Sequence, residues 1–230
     1  MKKILIAVLM ICCLAAGLVA QDMKITSAKV EGKNFLRNGD FEKKNLSEWI
    51  SEGSVISVVA KEGIDGSNAM LCKVAYDWSG IAVDMTKLYA PGKNYYIEAW
   101  FKAASKMDKT ASITFCIEKD CDYDYDNAYD YYSYMPLEPW GTGPDGKDLT
   151  GNAQPVNAKN YVKVNGYVSA DEIAAELKNA GDAKVGKLVV YFKLDGQTGK
   201  QNYYIDNVTI VDLNPEIPAV GKQTTKTAKE

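Results

Sequence analysis

The stretch Ala111-Ser112-Ile113-Thr114-Phe115-Cys116-Ile117-Glu118 alternates with period two: Ile113, Phe115 and Ile117 fall on one side of an extended chain, Ser112, Thr114 and Cys116 on the other. That pattern is a strand with one buried face. Six further segments, Ser54–Lys61, Ala69–Tyr76, Asn94–Lys102, Asn160–Val168, Lys187–Leu194 and Asn202–Val211, are rich in Val, Ile, Tyr and Phe and read the same way. Turn residues separate them, as in Asp65-Gly66-Ser67, Pro91-Gly92-Lys93 and Asp195-Gly196-Gln197. Many short strands without intervening helices predict an all-β fold, a jelly-roll β-sandwich.

One helix is inserted. Ser169-Ala170-Asp171-Glu172 is a capping box, Ile173 and Leu177 share a face, and Gly181 can close the end, which predicts a packing helix over Ala170–Ala180. Asp120–Lys159 is expected to be a long loop, far beyond the usual connection of about 4–6 residues. Its first half, from Asp122 to Tyr134, is mostly Asp and Tyr; its second half sets Trp140 among prolines and glycines.

Lys2 and Lys3, an apolar run from Ile4 to Ala20 and a small residue at its end make a secretory signal peptide over 1–20. Cys12 and Cys13 lie in that run and leave a lipoprotein reading open, although Met10 and Ile11 are poor small-residue neighbours for a lipid-attachment cysteine. The sandwich is expected over 21–213 and a polar, disordered tail over 214–230. The product is expected to be secreted or periplasmic, including attachment at the cell surface, with no membrane span. Without the leader's two lysines, the 27 basic residues fall to 25 against 30 acidic ones, a net charge of −5. That balance argues against nucleic acid and gives no polybasic anchor for an anionic membrane.

Three cysteines follow the leader. Cys116 and Cys121 are near enough to bridge a loop at the end of a strand, whereas Cys72, in Ala69-Met70-Leu71-Cys72, reads as a small buried hydrophobe. The chain has no histidine, which removes Ser-His-Asp and Cys-His catalysis and the common zinc sites. No Gly-rich phosphate loop opens a helix after a strand. The acidic excess reads as solvated surface, so no catalytic residue is assigned and the chain is expected not to be an enzyme. The Asp/Tyr run admits two readings. Rings beside carboxylates suit a sugar, which stacks its C–H face on aromatics and donates hydroxyls to acids; alternatively, the tyrosines cover the core and the aspartates keep the loop soluble. As an EF-hand the run fails, because Tyr125 stands at the glycine position and Tyr131 at the closing glutamate.

An ordered set of segments narrows the reading. Asn34-Phe35-Leu36-Arg37-Asn38-Gly39-Asp40-Phe41-Glu42 is followed by Leu46-Ser47-Glu48-Trp49, Gly66-Ser67-Asn68-Ala69-Met70-Leu71, Trp78-Ser79-Gly80, Tyr89-Ala90-Pro91-Gly92-Lys93-Asn94-Tyr95, Ile97-Glu98-Ala99-Trp100-Phe101-Lys102 and Tyr203-Tyr204-Ile205-Asp206-Asn207-Val208-Thr209-Ile210. From Asn34 to Asp212 the chain resembles the carbohydrate-binding modules of families four, nine and twenty-two, found attached to xylanases and other glycanases. The resemblance implies a jelly roll that binds β-linked glycan chains in an aromatic-lined cleft without cutting them, the partner being a polysaccharide or oligosaccharide. It also implies a structural Ca2+ between the N-terminal segment, the Gly-Ser loop and the last strand. Glu42 and Asp206 carry over as carboxylate ligands, Asp40 as a backbone ligand, and the loop at Glu62 and Asp65 completes the shell. Trp78, with Gly80 two residues on, matches the cleft tryptophan of the family-twenty-two type. Tyr125, Tyr131 and Tyr191 are the nearest candidates for the other cleft rings, and Trp140 is added from the insert. The chain departs from the pattern in the long insert, the capped helix, Lys193 where xylan binders tend to have an acid, and Tyr161 in place of a tryptophan. A structural or adhesive envelope protein, using the Asp/Tyr-rich loop on a protein partner, is the competing expectation.

Overall fold

The structure is a computed structural model that describes residues 33–106, 109–119, 132–138, 152–179, 185–195 and 201–213. The expected leader and tail, Cys121, Tyr125, Tyr131 and Trp140 lie outside the described residues. Among the described residues, the strands are β1 (Trp49–Glu52), β2 (Ser54–Val59), β3 (Ala69–Val74), β4 (Gly80–Asp84), β5 (Asn94–Ala103), β6 (Thr110–Lys119), β7 (Tyr132–Pro136), β8 (Gln154–Pro155), β9 (Val162–Val168), β10 (Val185–Asp195) and β11 (Tyr203–Leu213). They form two antiparallel sheets. The first runs β1-β4-β10-β6-β7, with β8 also on β6; the second runs β2-β3-β11-β5-β9. The jelly-roll sandwich expected from the alternation is the architecture found.

Every strand anticipated from a long β-branched run is present, and β1, β4, β7 and β8 add to them. The segment expected as one loop, Asp120–Lys159, contains β7 and β8. The helix α1 (Ala170–Asn179) starts at the anticipated cap: Glu172 N donates to Ser169 Oγ at 3.1 Å, and Ile173 is buried. No helix among the described residues is long and apolar enough to cross a membrane.

The alternation of β6 decides which face meets the core. Ile113, Phe115 and Ile117 pack inward with Trp49, Tyr95, Phe101, Phe192 and Tyr203. Trp49 and Phe192 lie 5.6 Å apart on the first sheet, Phe101 and Tyr203 5.9 Å apart on the second. Each such side chain contributes about 1.5–3 kcal/mol on full burial. The buried Tyr203 hydroxyl, on the second sheet, donates to the Phe192 carbonyl of the first at 2.8 Å. Cys72 is a buried free thiol, as expected. Among the described residues Cys116 is also a free thiol, in mid-strand opposite Tyr134 and Val189, and burial pushes it up to about 12; Cys121, the partner expected for a loop bridge, lies outside the described residues.

Both edges of the sandwich are stitched. β1 and β2 form one extended segment broken at Gly53, whose φ of +61° turns the chain from the first sheet to the second. On the opposite edge, Glu138 leaves β7 and exchanges two backbone hydrogen bonds with Tyr167 of β9, at 2.8 and 2.9 Å. This crossing requires Gly166, because a methyl there would lie 2.4 Å from the Glu138 carbonyl oxygen and 2.7 Å from Leu137 Cβ. Gly166→Ala should therefore destabilise the protein by about 1–3 kcal/mol, seen as a lower urea midpoint with unchanged slope. An unchanged midpoint would show that the crossing gives way freely.

Candidate functional site

The outer face of the first sheet carries a groove of about 300 Å3 lined by Glu52, Trp78, Thr114, Tyr134, Tyr191 and Lys193. Register explains the lining. Tyr191 of β10 pairs with Ala82 of β4 and Thr114 of β6, so a large ring stands between two smaller neighbours. Tyr134 of β7 pairs with Cys116, one step along the same face, and its ring lies 6.3 Å from that of Tyr191 at 46°. Lys193 stands opposite Ser112 and is ion-paired with Asp195 at 3.3 Å.

Trp78 enters from the turn between β3 and β4. Ser79 holds that turn: its Oγ donates to the Gly53 carbonyl at 2.6 Å and accepts from Tyr76 N at 2.9 Å. The benzo edge of the indole fills the space that a side chain at residue 53 would occupy, 2.6 Å from a Cβ there. Tyr76 stacks on one indole face at 5.1 Å with an interplanar angle of 4°. The indole nevertheless remains 64 % exposed, and Tyr134 is 56 % exposed. Large aromatic surface left in water at a concavity marks a binding surface.

The polar groups are tuned to donate and accept. Tyr191 donates its hydroxyl to Glu118, and burial first, then that hydrogen bond, holds the phenol well above its usual range. It is therefore a fixed donor at neutral pH. The Glu52 carboxyl is raised by burial and then by the Glu118 charge, with Lys187 opposing.

A second cluster joins the chain's described ends. The buried Asp206 carboxylate accepts from Ile64 N at 2.8 Å, Ser67 Oγ at 3.1 Å and Asn207 N at 2.7 Å. Glu42 accepts from Asn68 N at 2.9 Å on the same loop. Burial, and then the Glu42 charge, push the Asp206 carboxyl up against those donors. Among the described residues no Lys or Arg is ion-paired with Glu42 or Asp206. Oxygens crowd Gly63: a methyl there would meet Asn68 O and Ser67 Oγ at 2.3 Å and Asp206 Oδ2 at 2.7 Å. Two carboxylates sharing an oxygen-rich corner fit a hard divalent cation.

The other residues expected in that shell have different surroundings. Glu62 pairs with Lys102 at 3.1 Å, and its carbonyl accepts from Lys102 Nζ at 2.8 Å and Tyr161 Oη at 2.7 Å. Asp40 accepts from Glu42 N at 3.4 Å, and Asp65 is exposed on a 3₁₀ turn with φ of 55°.

Of the rings expected to line a cleft, Trp78 and Tyr191 meet in one groove. Tyr134, Glu52 and Thr114 complete it without having been singled out. Ser133 and Met135 on either side of Tyr134 are buried, so Tyr134 faces outward by the alternation of β7, which its pairing with β6 sets.

Residues 33–142 match the family model described as a carbohydrate binding domain. Over this stretch the chain is similar to that family. The fold of the domain is similar to that of the CBM22-1 xylan-binding domain of Paenibacillus barcinonensis Xyn10C, with a TM-score of 0.56 at 16% identity, covering 80% of this chain and 97% of that one. It is similar also to the C-terminal family 22 carbohydrate binding module of Clostridium thermocellum Xyn10B, with a TM-score of 0.54 at 14% identity over 79% of this chain and 99% of that one. A further xylan-binding domain from CBM 22 aligns with a TM-score of 0.55 at 13% identity over 80% and 97%. No curated protein matches the sequence. At these identities the solved structures establish the shared fold.

The groove electrostatics have a pH consequence. Because the folded Glu52 carboxyl is raised, its contribution to stability is full at pH below about 4 and is lost as pH rises through the raised value. Glu52→Gln should therefore melt slightly above the unaltered protein at neutral pH and level with it in acid. Water screening of this partly exposed group keeps the gain to about a few tenths of a kcal/mol. A neutral-pH melting point below that of the unaltered protein would reverse the assignment.

Proposed function

We propose that this chain is an exported, non-catalytic carbohydrate-binding protein, and that the groove on the first sheet holds a β-linked glycan chain. The observation that carries the reading is the convergence of Trp78, Tyr134 and Tyr191 on one concavity rimmed by Glu52, Thr114 and Lys193. Sugar rings would lay their C–H faces on the exposed indole and on Tyr134. Hydroxyl groups would meet the Glu52 and Thr114 oxygens and the Lys193 ammonium. Tyr191, committed to Glu118 through its hydroxyl, would offer its ring. Export is supported by the basic, apolar and small-residue order of residues 1–20. The domain family and the similar solved domains named for xylan support a plant-type β-glycan as the first ligand to test.

Calorimetric titration with xylohexaose and with mixed-linkage glucan oligosaccharides is the test. We expect micromolar to millimolar binding, about −8 to −4 kcal/mol. Trp78→Ala should weaken it at least about tenfold, about 1.4 kcal/mol, and Tyr134→Ala should weaken it by a smaller factor. Full affinity retained in both variants would remove the groove from the function. Silence across the panel would favour a protein-binding scaffold instead.

In the same reading, Glu42 and Asp206 with the Asn68 carbonyl would hold Ca2+, which would tie the N-terminal segment, the 62–68 loop and β11 together. Calcium at about 100 times its dissociation constant should add about 2.7 kcal/mol to stability, read as a higher melting temperature than in chelator. Glu42→Gln should abolish that difference. Identical melting with calcium and with chelator would leave the corner as a hydrogen-bonded one.

A further inference from the structure

The second sheet has its own concavity, on the face turned away from the groove. A cavity of about 340 Å3 is lined by Arg37, Asp40, Glu98, Trp100, Asn207 and Thr209, with Leu36 and Val208 behind them. That volume lies at the lower end of small-molecule sites, about 300–1,000 Å3.

Three features build it. The register of β11 against β5 shifts between Asp206 and Thr209, and Asn207 takes a left-handed φ of 47°. The bulge brings Thr209 opposite Glu98 and leaves Asn207 and Val208 outside the ladder. Residues 34–40 then pack along it as a wall: Asn34 Nδ2 donates to Val208 O at 2.8 Å, and Val208 N donates to Gly39 O at 2.9 Å. Finally, neighbouring side chains fix the floor. Glu98 accepts from Trp100 Nε1 at 3.2 Å and from the Tyr96 hydroxyl, and lies 3.6 Å from Lys163 Nζ. The indole is thereby held by its N–H edge. A carboxylate has about four acceptor positions, and these three partners leave one of them open.

The lining decides the ligand class. Apolar atoms are too few for a lipophilic guest, and Asp40 and Glu98 disfavour phosphates and uronates. One aromatic ring, two carboxylates with acceptor capacity, an exposed guanidinium with only Nε engaged by Glu48, a hydroxyl and an amide together suit a neutral polyhydroxylated molecule. We propose that this cavity is a second carbohydrate site, which takes a neutral sugar end or short saccharide on Trp100 and Glu98. With the groove on the opposite sheet, the domain would hold two glycan segments at once, and a polymer reaching both faces would gain affinity by effective concentration.

The test uses the full chain carrying Trp78→Ala, which weakens the groove and leaves Trp100 untouched. The indole N–H resonance of Trp100, assigned by its loss in Trp100→Phe, is followed by 15N correlation spectra. Glucose, xylose, mannose, galactose, arabinose and glucuronate are each titrated to tens of millimolar. We expect saturable movement with at least one neutral sugar, at least tenfold weaker movement with glucuronate, and loss of the response in Thr209→Val. A melting curve of Thr209→Val close to that of its parent would separate lost binding from lost fold. A Trp100 resonance that stays still with every sugar, while the Trp78 resonance of the unaltered chain moves with xylohexaose, would overturn this site and leave the groove standing. Stillness of both would overturn both, and movement of Trp100 alone would support this site at the expense of the groove.

Discussion

The buried Asp206 carboxylate is the point on which both halves of the domain turn. Its oxygens draw in the amides of Ile64 and Asn207 and the Ser67 hydroxyl, binding the 63–68 loop to β11. Removing a charge from water is costly unless such donors replace the solvent. Here the donors do replace it, yet burial and Glu42 still lift its proton affinity. The register shift in β11 begins at this residue, and residues 34–40 are bonded along the displaced stretch. The Asn34–Glu42 segment, the bulge and the second-sheet cavity thus meet beside one buried acid.

The two faces of the sandwich offer different chemistry because their neighbours differ. On the first sheet, Ala82 and Thr114 flank Tyr191 in register, and rings rise over them to form walls of a groove. On the second, Tyr96, Glu98 and Trp100 follow one another along a single strand and tie themselves together, with Lys163 across the ladder. The first surface is aromatic with polar rims; the second is polar with one ring.

Strand existence was legible where runs were long and β-branched, as in Ala111–Glu118 and Lys187–Leu194. β1 reads Trp-Ile-Ser-Glu and β4 Gly-Ile-Ala-Val-Asp, too short to show a period, and they are strands because they pair with each other. The helix was legible because a capping box is a local device that needs no tertiary partner. Trp78 could be singled out as Trp-x-Gly. Tyr134 could not be separated from the tyrosines before it, because which side of a strand faces out depends on its pairing with β6. Glu42 and Asp206 lie in motifs, and the structure brings both to the 63–68 loop; the commitment of Glu62 to Lys102 depends on where β5 passes that loop, which no local pattern carries. Cys116 lies opposite Tyr134 and Val189, a placement set by the pairing of β6 with β7 and β10 rather than by any local pattern.

Tyr76 stacks on one face of the Trp78 indole, and the indole as a whole stays 64 % exposed. A platform of this kind meets the flat side of whatever lies on it and makes few demands on direction. A repetitive chain could therefore be held in any of several frames displaced by one unit. Each additional equivalent frame adds multiplicity to the bound state, and ten of them would be worth about 1.4 kcal/mol without a single new contact. For such a surface, the length of the occupant counts alongside its chemical identity, and sliding between frames replaces release and recapture.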